Sequence, residues 1–206
     1  MKHMSKNTFI ALLAGAACVL GFAPFGWYPL PILALTVLFA LWHKANTPSA
    51  AAKLGYAFGL GLFTAGIGWI YIAMHDYGDM AGWLALLVTL LFCGFWALLP
   101  ALAGYAQARC KTTTPVRFLL LMPAIWVLVE WLRGMLFTGF PWLTLGYAHS
   151  DSALAGFAPI LGVYGVSLFA ALSAGCVALL WQVRWSRAGK FALLGLLVIW
   201  LTGAAV

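Results

Sequence analysis

Residues 108–117 read ARCKTTTPVR and carry Arg109, Lys111 and Arg117 with no acid among them. The stretch separates two apolar runs, read here as 80–107 and 117–136. A run of about 20 apolar residues is the length that crosses a hydrocarbon core of about 30 Å. A short gap rich in Lys and Arg between two such runs belongs on the cytoplasmic side. This gap therefore predicts a helical membrane protein and fixes the direction of two of its spans.

Working outward, the gaps alternate. Upstream, His75 to Met80 holds Asp76 and Asp79, the next gap holds Lys44 and Lys53, Ala23 to Pro31 is uncharged, and Lys2 and Lys6 precede the first apolar run. Downstream, Phe137 to Ser152 has Asp151 as its only formal charge, and the last gap carries Arg184, Arg187 and Lys190. Ten of the eleven Lys and Arg residues thus fall in every second gap. The pattern predicts an all-α polytopic integral membrane protein with about seven transmembrane helices. Its N-terminus is cytoplasmic and its C-terminus lies on the outer, periplasmic face. Residues 1–206 are read as one membrane-embedded helical domain, with spans near 7–23, 29–43, 53–74, 80–107, 117–136, 153–183 and 188–206. The first two are short and joined by a proline- and ring-rich turn from Pro24 to Pro29, which suits a tilted or partly re-entrant pair. The fourth and sixth exceed the need of one span, and are expected to tilt, project or kink at Pro100 and Pro159. Gly21 to Phe25 offers a poor cleavage site, so the first run is read as a span rather than a removable signal.

Composition agrees. The chain is 65% hydrophobic and 7% charged, with a mean hydropathy of +1.02, against roughly 25% charged residues in soluble domains. A net charge of +7 raises the question of nucleic acid, but the cations are scattered over short loops rather than gathered on one face. They read as orientation signals and headgroup contacts. Cys18, Cys93 and Cys176 fall within spans and Cys110 in a basic gap; no pair has metal or redox spacing, so no metal site is assigned.

Within the apolar runs, the third span is glycine-rich: Gly55, Gly59, Gly61, Gly66 and Gly68 include a small-xxx-small pair. Such surfaces let helix backbones pack closely, or leave a narrow groove for an acyl chain. In the fifth span Glu130 and Arg133 stand one turn apart and are placed to meet. Charged groups in a span face the bundle interior or a polar cavity. Two readings stay open: Arg133 binds a lipid phosphate with Glu130 orienting it, or the pair is a structural clip. The longest outer segment, 137–151, combines rings, glycines and a proline as an apolar loop at the membrane surface. His149 with Asp151, and His75 with Asp76, supply acid–base chemistry or are simply solvated loop residues.

Three segments carry a resemblance: GFAPFGWYPLP at 21–31, GYAFGLGLFTAGIGWIY at 55–71, and 123–159, with PAIWVLVEWLRG, LFTGFPWLTLGY and LAGFAPILGVYG. A span ending in ExxRG, followed by TGFPW and GY, is a specific combination. The chain resembles the membrane half of the bacterial apolipoprotein N-acyltransferases. That resemblance implies a multi-pass protein of the bacterial inner membrane acting in the last step of lipoprotein maturation. Its acyl donor is membrane phospholipid and its acceptor the lipidated N-terminal cysteine of a lipoprotein; nucleic acid and cofactors play no part. The family's chemistry is similar to that of nitrilases, with a Glu, Lys, Cys triad and a thioester intermediate.

The resemblance places that triad in a nitrilase-like domain expected after Val206, so no catalytic residue is assigned within this chain. Either a fragment of a longer enzyme or a truncated homologue fits, and the chain alone is expected to be inactive. Its expected work is to anchor the catalytic domain and shape an opening for acyl chains. Glu130, Arg133, Trp142 and Tyr147 are the candidates for the wall of that opening, with His75 and His149 on the outer loops. A non-catalytic lipid-binding scaffold and a small transporter are the competing readings.

Overall fold

The computed structural model describes residues 2–183 and 186–205, so Arg184 and Val206 lie outside the described residues, as does the side chain of Lys2. Of the chain, 82% is helical, and no strand occurs among the described residues. The helices are α1 (Lys2–Cys18), α2 (Pro29–His43), α3 (Pro48–Gly66), α4 (Trp69–His75), α5 (Gly82–Arg109), α6 (Thr114–Arg133), α7 (Ala158–Val183) and α8 (Arg187–Ala205). Four of them, α5, α6, α7 and α8, are long and apolar enough to cross a membrane. A fifth is added when α3 and α4, bent by 52° at their junction, are taken as one span. Lys6–Gly21 and Pro29–His43 are shorter apolar helices, as their lengths in the sequence suggest.

Neither proline of the two long spans interrupts its helix. α5 runs unbroken through Pro100. In α7 the break falls at Gly162 (φ 64°, ψ −172°) rather than at Pro159, which sits in the first turn, where the missing N–H has no intrahelical partner to lose. A third, Pro123, follows a π-helical turn at Arg117–Leu121; widening the helix there accommodates a residue that cannot donate to the preceding turn.

Small residues set the register of the bundle. A side chain at Gly55 would run into the Pro100 carbonyl, and one at Gly59 would meet the Cα of Ala97 at 2.8 Å. Gly15 lies as tightly on the Phe58 carbonyl, and Gly61 on that of Leu12. α3 therefore packs backbone to backbone against α1 and, antiparallel, against α5, as expected of helices that meet through glycine. Thr36 links α2 to α7 by donating to the Ala174 carbonyl at 3.2 Å. Gly175 packs on the Phe118 carbonyl and brings α7 against α6.

The two ends of the bundle differ in kind. At one end Trp42 Nε1 donates to the Ala51 carbonyl at 3.0 Å, the His43 and Phe118 rings lie 5.0 Å apart, and Arg117 donates to the Gln107 carbonyl and Oε1, both at 2.8 Å, and to the Cys110 carbonyl at 2.7 Å. Arg117 thus closes the 108–117 gap by satisfying carbonyls at the C-terminus of α5. At the other end Pro31 and Ala148 pack on Gly21, and Leu143 packs on Gly66. The basic gaps gather at the first end and the acidic or neutral gaps at the second.

Candidate functional site

The site is built at the acidic end, where α6 stops and the chain folds back on it. Gly139, at φ +93°, lies so close to the Gly134 carbonyl that no side chain would fit between them, and Phe140 N–H donates to the Arg133 carbonyl at 2.9 Å. Phe137 (φ 51°), Thr138 (φ 73°) and Leu143 (φ 60°) also have left-handed backbones. Such conformations cost non-glycine residues about 1–3 kcal/mol each and persist only where their surroundings impose them.

Two buried charged side chains impose this one. Glu130 Oε1 accepts from Trp126 Nε1 at 3.1 Å and from the Leu145 backbone N–H at 2.9 Å. Arg133 donates to the Trp142 carbonyl and to Thr144 Oγ1 at 3.3 Å, and its guanidinium lies 5.4 Å from the centre of the Phe63 ring. The expected contact between the pair is absent: the one ion pair among the described residues is His75 with Asp76, at 4.0 Å. Each side chain instead grips the loop. A small cavity of about 10 Å³, lined by Trp126, Glu130, Arg133 and their apolar neighbours, is about the size of one water. Gly146 N–H donates to Ser167 Oγ at 2.8 Å and ties the far side of the loop to α7.

The pinned loop carries a row of rings. Phe140 stacks on Trp96 of α5 at 5.4 Å and on Trp142 at 5.3 Å, and Trp142 meets Trp69 of α4 at 5.9 Å. Phe92 meets Phe140 edge-on at 5.0 Å, and Phe95 lies 5.7 Å from Phe137. Between these rings opens an apolar cavity of about 380 Å³, lined by Phe92, Phe95, Trp96, Phe137, Gly139 and Phe140. Trp96 Nε1 is buried with no hydrogen-bond partner among the described residues.

The sequence-based candidates separate accordingly. Glu130, Arg133 and Trp142 come together at the loop. Tyr147 is 55% exposed and no ring contact joins it to that group. His75 is exposed at the end of α4, with Nδ1 2.9 Å from the Met80 carbonyl. His149 differs from the exposed residue expected: its exposure is 0%, its ring lies 6.2 Å from Tyr28, and Tyr28 lies 6.0 Å from Trp200. Burial pushes its pKa down from 6.5 to about 4. Trp126, Thr144, Ser167 and the cavity residues Phe92, Trp96 and Phe140 are site residues that sequence reasoning misses, because aromatic residues in apolar runs carry no mark of which face they occupy.

A sequence profile described as the apolipoprotein N-acyltransferase N-terminal domain matches residues 14–176. The chain is 46% identical over 204 residues to an apolipoprotein N-acyltransferase of Nitrosomonas europaea, covering 96% of this chain and 40% of that protein. It is 43% identical to the Methylococcus capsulatus protein of the same name, covering 94% and 38%. The Ralstonia nicotianae protein is 47% identical over 181 residues, covering 85% and 35%. The chain therefore spans about 40% or less of the length of the relatives it matches.

Proposed function

Because the chain belongs to the apolipoprotein N-acyltransferase family, we propose that it is the membrane portion of an enzyme that moves an acyl chain from phospholipid to a lipoprotein's N-terminal diacylglyceryl-cysteine. In that reaction a cysteine thiolate of the nitrilase-like domain attacks the phospholipid ester, forming a thioester and releasing a lysophospholipid. The lipoprotein's free amine then attacks the thioester, forming the amide and restoring the thiol. The bundle anchors that domain in the bacterial inner membrane through seven crossings, N-terminus inside, and guides acyl chains towards it.

The observation that carries this reading is the ring-lined cavity of about 380 Å³ at the acidic end, walled by a loop that Glu130 and Arg133 hold in place. A cavity with apolar walls suits a hydrocarbon chain. Trp96, one of the cavity's lining residues, has a buried N–H without a partner among the described residues, and a buried donor gains most from finding an acceptor such as an ester carbonyl.

The test uses the acyltransferase polypeptide carrying this membrane portion together with the catalytic domain, in phospholipid nanodiscs with a diacylated lipopeptide acceptor. Phe140→Ala, which opens one wall, and Trp96→Phe, which removes the donor and keeps a ring, are expected to lower acyl transfer at least fivefold. Trp96→Phe, the milder change, should keep the membrane level and melting temperature close to wild type, while Phe140→Ala truncates a buried ring and its transfer is compared per folded protein. Unchanged transfer in both variants would exclude the cavity from acyl-chain handling.

A further inference from the structure

At the basic end a second groove, of about 450 Å³, runs along an outward side of α3 and is flanked by α1 and α5. Leu12, Ser49, Ala52, Lys53, Tyr56 and Leu60 are among its lining residues. Residues 49, 52, 53, 56 and 60 recur at helical spacing on one stripe, so the groove follows the helix for about 16 Å at 1.5 Å per residue. Ala52 keeps its floor low. The charge pattern assigns Lys53 to a gap between spans, whereas the residue belongs to α3 (Pro48–Gly66), inside the groove.

Among the described residues no acidic side chain pairs with that charge. The acidic residues of the whole chain are Asp76, Asp79, Glu130 and Asp151. Asp76, Asp79 and Asp151 belong to the gaps of the opposite end, and Glu130 is engaged with Trp126 and Leu145. Lys53 itself is exposed and makes no ion pair among the described residues. A lysine in a groove open to lipid extends its stem along apolar surface and places the ammonium at headgroup level. An anionic headgroup is the counter-ion that a membrane presents to an ammonium at that level.

We infer that this groove is a binding site for one anionic phospholipid, with an acyl chain lying against Tyr56, Leu60 and Leu12 and the headgroup phosphate at Lys53. Assigning the lipid to the inner leaflet rests on the charge-based orientation; the binding itself does not. This site is separate from the ring-lined cavity at the other end, so the lipid here is a bound companion of the bundle and not the acyl donor.

The chain, purified in mild detergent, is titrated with dioleoylphosphatidylglycerol or dioleoylphosphatidylcholine and followed by native mass spectrometry. One phosphatidylglycerol is expected to be retained at least fivefold more than phosphatidylcholine. Lys53→Gln should abolish that preference and leave weak binding of both lipids. Ala52→Trp, which fills the floor of the groove, should remove binding of both. Circular dichroism melts of the two variants report whether the fold is kept. Equal retention of the two lipids by the wild-type chain, or an undiminished preference in folded Lys53→Gln, overturns the proposal. Acyl transfer is not the readout, so the outcome is independent of the enzymatic reading.

Discussion

Glu130 and Arg133 reach past each other to the backbone ahead of them, and this decides what their substitution does. Glu130→Leu leaves Trp126 Nε1–H and Leu145 N–H buried without an acceptor, a penalty of about 1–3 kcal/mol for each group. Glu130→Gln keeps one acceptor oxygen and should be milder; melts in dodecylmaltoside followed by circular dichroism would separate the two. Arg133→Lys is expected to behave like a loss, because an ammonium has no fork to reach the Trp142 carbonyl and Thr144 Oγ1 together. Increased proteolytic cutting within 136–149 would show it, and a wild-type cutting pattern would mean that the loop stands without Arg133. His149 gives a pH effect of defined sign. Its pKa falls from 6.5 to about 4 on burial, so between those values the unfolded chain takes up a proton that the folded chain refuses. Stability should be constant above about pH 6.5 and fall as the pH drops towards 4, by up to about 3 kcal/mol. His149→Phe should flatten that slope. The three-residue spacing of Glu130 and Arg133 is legible in the sequence, but their loop partners are not: they lie 9 to 15 residues further on, across a backbone whose left-handed turns leave no pattern in apolar residues. The burial of His149 is equally hidden, because Tyr28, the ring beside it, lies far away in the sequence.

At the scale of the helices, the glycines of α3 fix how closely the backbones approach, and two of them separate packing from loop placement. Gly55→Val forces a branched side chain into the Pro100 carbonyl, which cannot move without moving α5. Overpacking of this kind costs about 1–3 kcal/mol or more, and the yield of folded protein in detergent should drop sharply. Gly66→Ala meets only the flexible end of Leu143; it should leave the melting temperature within a few degrees while raising proteolysis of the loop. Equal destabilisation by the two substitutions would refute this division. Element positions are well marked in the sequence, since apolar length and the charged gaps between runs are properties of single segments. The break between α3 and α4 reads as continuous helix over 53–74, because apolar character continues across it and only the fit of Leu143 against Gly66 shows why the chain turns there. The same holds for α7, where the Gly162 backbone, rather than the more conspicuous Pro159, makes the break.

For the whole molecule, orientation is the property that the sequence states most openly and that a native residue can test. Cys18, Cys93 and Cys176 are buried, and Cys110 is exposed in the basic gap. A membrane-impermeant maleimide should label the chain in inside-out vesicles and leave it unlabelled in intact spheroplasts, with Cys110→Ser removing the signal. Labelling from the periplasmic side would reverse the proposed topology. The segregation of charge between the ends has an electrical consequence as well. A bacterial membrane held negative inside acts on each charge by about 2.3 kcal/mol per 100 mV. In the proposed orientation, with the basic gaps inside and Asp76, Asp79 and Asp151 outside, the voltage would resist every movement that carries the basic end outward. In that orientation respiration, by maintaining the voltage, would help hold the bundle the right way up.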